Sequence, residues 1–121
     1  MKRRDVGRLG EKLARDYLEK RGYRILETNY RCREGEIDII AQQEDTLVFV
    51  EVRTKQSRQF GSPEESITPA KMERLRALAA HYGQTHSELP VSWRIDVVAI
   101  ELDQRGQVSR LEHIEDAVGG T

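Results

Sequence analysis

Cysteine is almost missing from this 121-residue chain: Cys32 stands alone, so no internal disulfide can form. That fits a reducing compartment, and the expected location is the cytoplasm. Cys32 itself reads as a small strand residue rather than a catalytic thiol. Long apolar runs are missing as well. No stretch approaches the roughly 18–20 residues that a membrane span requires, so no membrane partner is expected. The opening MKRRDVGRLGEK has basic residues with no apolar segment behind them and does not read as a secretory signal. Repeats, low-complexity tracts and linkers are also lacking, and the length suits one domain over residues 1–121. Nor does one charge sign dominate: 20 Lys/Arg against 21 Asp/Glu leave a net charge of −1. Overall charge therefore does not announce a nucleic-acid binder.

What the chain does have is an uneven distribution of charge. Residues 1–33 carry eleven Lys/Arg against five Asp/Glu, whereas residues 34–52 carry six acids and no base. A basic flank beside an acidic centre suits a polyanion held near a cation site. It equally suits a solvated helix face followed by a charged hairpin.

Hydrophobic periodicity supplies the elements. Val6, Leu9, Leu13 and Tyr17 form a helical stripe over Val6–Arg21, with Asp5 as N-cap and Gly22 as the stop. Three strands follow: a mixed, charged Tyr23–Arg31, then Glu36–Gln42 and Thr46–Thr54, both alternating. A loop over 55–67 holds Gly61 and Pro63. Thr68-Pro69 opens a second helix as N-cap and first helical residue, with Met72, Leu75, Leu78, Ala79 and Tyr82 as its stripe and Gly83 as its stop. Arg94–Leu102 and Val108–Ile114 read as strands. The order αβββαββ implies antiparallel pairing among the first three strands and a right-handed parallel crossover through the second helix. The fold class is α/β in the mixed α+β sense, a mixed central sheet flanked by helices.

The second and third strands carry the chemical information. If paired residues sum to 89, Ile37, Ile39 and Ala41 face Val52, Val50 and Val48 on one wholly apolar face. On the other face Glu36 meets Arg53, Asp38 meets Glu51, and Ile40 meets Phe49. A slip of one residue mixes polar with apolar throughout, so the pattern selects this register. Opposed carboxylates among Ile, Val and Phe need a shared proton, a cation or a metal. Two readings remain: a Mg²⁺ or Mn²⁺ site, or a structural cluster with Arg53 and Glu36 as partners. Glu11 lies at the margin of the first helix stripe, where small neighbours such as Gly7 and Ala14 let the helix approach the sheet. It is either a third acid of the cluster or an exposed glutamate. Lys71 shares the face of Leu75, Leu78 and Tyr82 in the first turn of its helix, where the dipole disfavours a cation. It is either aimed at an anion or snorkelling.

A helix with Glu11, then Asp38, then Glu51-Val52-Arg53 on a strand, then a helix, resembles the PD-(D/E)XK nuclease superfamily. More closely, GRLGEKLARDYLEKRGY, GEIDIIA, LVFVEVRT, FGSPEESITPAK and RIDVVAIE resemble the YraN family of small bacterial proteins with a Holliday-junction-resolvase-like endonuclease fold. These stretches span about residues 7–101, and IEDAV near the end also matches. The resemblance implies a restriction-endonuclease-like fold. It also implies that Glu11, Asp38 and Glu51 hold one or two Mg²⁺ or Mn²⁺ ions, with the Val52 carbonyl as a further ligand. Arg53 stands where the superfamily has lysine. It stays charged and is a poor proton acceptor, so its implied role is electrostatic; Lys55 or Lys71 is the substitute for the missing lysine. Lys2, Arg3, Arg4, Arg8 and Lys55, with Arg58 and Arg74 as further candidates, would contact nucleic-acid phosphates.

Three functions are weighed. The first is an endonuclease on structured or branched DNA, such as junctions and recombination intermediates, working as a homodimer that engages two arms. The second is a nucleic-acid-binding accessory protein that keeps the nuclease fold and depends on a helicase or recombination partner. The third is the fold alone, with its acids paired structurally.

Overall fold

The computed structural model describes residues 1–56, 61–86, 88 and 92–117. Its elements are α1 (Arg3–Lys20), β1 (Arg24–Cys32), β2 (Gly35–Gln43), β3 (Thr46–Lys55), a 3-10 turn (Pro63–Ser66), α2 (Pro69–Thr85), β4 (Ser92–Leu102) and β5 (Val108–Ile114). The expected order αβββαββ is observed, with the short turn added in the loop before α2. No described helix is long and apolar enough to cross a membrane.

The strands form one sheet in the order β1-β2-β3-β4-β5. β1, β2 and β3 pair antiparallel, β3 and β4 run parallel with α2 between them in sequence, and β5 returns antiparallel on β4. The helices cover opposite faces. Val6, Ala14 and Leu18 of α1 pack on Ile39, Ala41, Val48, Val50, Val98 and Ile100. Leu75, Leu78, Ala79 and Tyr82 of α2 pack on Ile37, Ile40, Leu47, Phe49 and Ile95. Each fully buried Ile, Leu, Val or Phe side chain contributes about 1.5–3 kcal/mol. This packing, more than helix propensity, holds two helices that are marginal in isolation.

Several local expectations change. The N-cap of α1 is Lys2, without a side-chain cap bond, and Asp5 lies inside the first turn, where its charge complements the helix dipole. The deepest line of α1 is Val6, Gly10, Ala14 and Leu18; Leu9, Leu13 and Tyr17 flank it, half-buried. The reason is close approach. A Cβ on Gly10 would lie 1.8 Å from Thr54 Oγ1, whereas one on Gly7 would meet nothing within 4 Å. Gly10, not Gly7, therefore lets the helix settle on β3. Gly22 ends α1 as expected, with φ of +91°. Thr68 caps α2 by accepting a bond from Lys71 N at 3.2 Å. Gly83 does not stop α2, which continues to Thr85 with Gly83 on its exposed side.

Candidate functional site

The selected β2–β3 register is observed from Gln43↔Thr46 to Ile39↔Val50, and the ladder ends there. Asp38 and Glu51 occupy the next position. Instead of a continued ladder, Asp38 Oδ2 accepts the Val52 N–H at 2.8 Å. On the other side of β2, Thr28↔Ile39 and Tyr30↔Ile37 are paired, and the intervening Asn29 takes φ of +53°. Asparagine tolerates this left-handed conformation better than most residues. Across Asp38 the alternation of β2 inverts: Ile39 belongs to the α1 face and Ile37 to the α2 face. The expected single apolar face of Ile37, Ile39 and Ala41 therefore does not extend to Ile37. Asp38 sits at the break.

Side chains from both layers meet at this break. Carboxylate oxygens of Glu11, Glu36 and Asp38 lie within 4.8 Å of one another. Glu11 comes from α1, brought in by the Gly10 contact beside it. Glu36 was expected opposite Arg53; it instead faces Arg31 on β1 and accepts a bond from its Nε at 3.0 Å. Glu51 adjoins Asp38 from β3 and is only 4% exposed. Arg53 Nη2 lies 2.9 Å and Lys71 Nζ 3.8 Å from Glu51 Oε2. Arg53 Nε is buried without a hydrogen-bond partner among the described residues. An orphaned guanidinium nitrogen at such a place has donor capacity left for an anion.

Four acids thus converge with two cations close to Glu51. Burial, then the neighbouring Asp38 carboxyl, pushes Glu51 up to about 7, against the opposing pull of Lys71 and Arg53. Burial also raises Asp38, with Glu36 adding to it and the Val52 N–H opposing it. Glu11 is raised by burial and by Asp38, and a hydrogen bond from Asn29 partly offsets this. Glu11, Asp38 and Glu51 thus hold their protons longer than usual, chiefly because burial penalises the charged form and the neighbouring carboxyls add to it. All the donors are hard oxygens, the set that suits Mg²⁺ or Mn²⁺, so the arrangement can take a divalent cation.

Two open concavities flank Glu11. One, of about 320 Å³, is lined by Arg8, Lys12, Arg15, Thr28, Asn29 and Asp38, among others. The second, of about 360 Å³, includes Arg3, Arg53, Lys55 and Ser66. Of the expected phosphate contacts, Arg3, Arg8 and Lys55 line these surfaces, while Lys2 and Arg4 are exposed at the start of α1. Arg74 sits with its aliphatic chain against Gly35 at the β1–β2 turn. Arg58 lies outside the described residues.

Asn29, Lys12 and Arg15 were not foreseen at the site, and Glu36 was foreseen only as a structural partner of the cluster opposite Arg53. The helical spacing of Arg8, Glu11, Lys12 and Arg15 was a usable signal, since residues three and four apart share a face. Nothing local in the sequence marks Asn29.

The chain matches the model of the "Uncharacterised protein family UPF0102" over residues 10–100, and it belongs to that family. Full-length relatives agree. The UPF0102 protein of Moorella thermoacetica is 49% identical over 117 residues, covering 97% of this chain and 98% of its own. Those of Roseiflexus castenholzii and Pelotomaculum thermopropionicum are 48% and 46% identical, covering 97% and 95% of this chain and 95% and 96% of theirs.

Proposed function

We propose that this UPF0102 protein is a Mg²⁺- or Mn²⁺-dependent phosphodiesterase, an endonuclease of restriction-endonuclease-like, PD-(D/E)XK type that acts on structured DNA such as junctions and recombination intermediates. The observation that carries the reading is the excess of carboxylates over cations where the β2–β3 ladder ends. Nothing in the packing requires so costly a cluster, and its donor set matches a hard divalent ion. Glu11, Asp38 and Glu51 would hold the ion, with Glu36 beside them. When bound, it would lower the pKa of a water molecule and neutralise charge on the phosphodiester.

The chain's own residues do the rest. Glu51 holds Arg53 at 2.9 Å, which directs a permanently charged guanidinium toward the cluster. Arg53 serves there as an electrostatic stabiliser of the phosphorane-like transition state and not as a base. Lys71, 3.8 Å from Glu51 at the start of α2, is the nearest amine for the role that lysine has in the superfamily. Arg3, Arg8, Lys12, Arg15 and Lys55 around the two concavities supply phosphate contacts that position the backbone without reading sequence. A homodimer would provide two such centres for the arms of a branched substrate.

The arginine at position 53 favours a second reading: a nucleic-acid-binding accessory protein that keeps the fold and cleaves only with a helicase or recombination partner. One experiment separates the two. Labelled linear, single-stranded, flap and four-way-junction DNA is incubated with wild type, Asp38→Asn and Glu51→Gln in Mn²⁺, Mg²⁺ and EDTA. Structure-selective cleavage that needs metal and is lost by at least about a hundredfold in both variants is expected. Selective binding without cleavage would favour the accessory protein. Neither binding nor cleavage by a folded wild type would sink both readings.

A further inference from the structure

The described residues hold a second group of metal-ligating side chains, away from the acid cluster: Cys32, Glu34 and His81. Cys32 ends β1, Glu34 lies two residues on in the β1–β2 turn, and His81 projects from the C-terminal half of α2. The sulfur, a carboxylate oxygen and an imidazole nitrogen lie within 4.8 Å of one another. Cys32 Sγ donates to Glu34 Oε2 at 3.4 Å, and that bond holds the Glu34 carboxyl below its usual range.

The scaffold around them is fixed. One residue after His81, Tyr82 meets Tyr30 edge to face at 5.1 Å between centroids. Leu78 and Arg74 close over Gly35, where a Cβ would lie 3.5 Å and 3.3 Å from them. The turn and the helix are therefore already in contact on both sides of the three donors. Tetrahedral zinc, with Zn–S near 2.3 Å and Zn–N near 2.0–2.1 Å, places its ligands about 3.5 Å apart. The present separations, all within 4.8 Å, exceed that spacing by at most about 1.3 Å.

We propose that Cys32, Glu34 and His81 form a Zn²⁺ site that ties the β1–β2 turn to α2, its fourth position left to water or an exogenous ligand. Thiolate, imidazole and carboxylate together select zinc over Mg²⁺. On binding, the Cys32 thiol releases its proton to solvent as the sulfur–metal bond forms. The site stands independently of the nuclease reading, because its ligands and its metal preference both differ.

The test uses the metal-stripped full chain titrated with Co²⁺ and then with Zn²⁺ against a chromophoric chelator. One equivalent of Co²⁺ should give a near-ultraviolet thiolate-to-metal band that Zn²⁺ displaces. Cys32→Ser should remove the band, and His81→Ala should weaken Zn²⁺ binding by more than about tenfold. Asp38→Asn should leave both intact. Both substituted side chains are only half-buried, so neither variant opens the core. A wild type without the band, or zinc affinity unchanged in His81→Ala, would overturn the site.

Discussion

Asp96 and Glu51 lie on adjacent strands one ladder step apart, since Asp96 pairs with Val50, and they are 0% and 4% exposed. Their surroundings are opposite. Asp96 receives Arg94 Nε at 3.0 Å, His113 Nε2 at 2.8 Å and the Asp116 N–H at 2.9 Å. Arg94 in turn donates to Tyr23 and Gln43. Burial pushes the Asp96 carboxyl up, but the bonds from His113, Arg94 and Asp116 outweigh it and hold the group below its usual range. Glu51 has Arg53 and Lys71, but it shares them with Asp38, and its carboxyl ends near 7. A buried acid is therefore no mark of function. What separates the two is whether the fold supplies enough donors and positive charge.

Removing each acid should expose that difference. Asp96→Ala leaves Arg94 and His113 facing each other without their shared anion. It should cost about 3–5 kcal/mol, read as a fall in Tm of the order of 10 °C. Asp38→Asn should leave metal-free stability nearly unchanged or raise it, because it removes a like charge and an amide oxygen can still accept the Val52 N–H. Equal losses in the two variants would erase the contrast.

Metal and pH sharpen it further. The folded value of Glu51 is raised, so its contribution to metal-free stability is fully present below about pH 4.5 and is lost as pH rises toward 7. Denaturant midpoints should therefore fall over that window, and Glu51→Gln should flatten the slope. Above pH 7, Mn²⁺ at a hundred times its Kd should restore about 2.7 kcal/mol in the wild type and nothing in Asp38→Asn. A wild type indifferent to Mn²⁺ would make the acid cluster as structural as the Asp96 network.

Gly10→Ala tests the helix that brings Glu11 in. The new methyl collides with Thr54, so a cost of about 1–3 kcal/mol is expected in equilibrium unfolding. Gly7→Ala, into open space, should be neutral or slightly stabilising. If both behave alike, close packing at Gly10 is not what positions Glu11.

The structure bears out the order of elements, the antiparallel and parallel pairings, the Thr68-Pro69 start of α2 and the Ile39↔Val50 register. Each rests on local rules: a period of two, a period of 3.6, or a cap one turn away. Glu11, Asp38, Glu51 and Lys71 were legible for the same reason, as polar residues on apolar stripes. Where the sheet opens was not legible. Asp38 takes the Val52 N–H, Asn29 turns left-handed beside it, β2 reverses its faces and Glu36 joins the acids. Residues 36–42 read as a regular alternation in sequence and break it at Asp38 in space. The sequence by itself determined which residues are oily, which are charged, and how often they recur. Only the tertiary structure decided which carboxylates share a site, because a ladder ends where a side chain competes successfully for a backbone donor, and that competition is between strands distant in sequence.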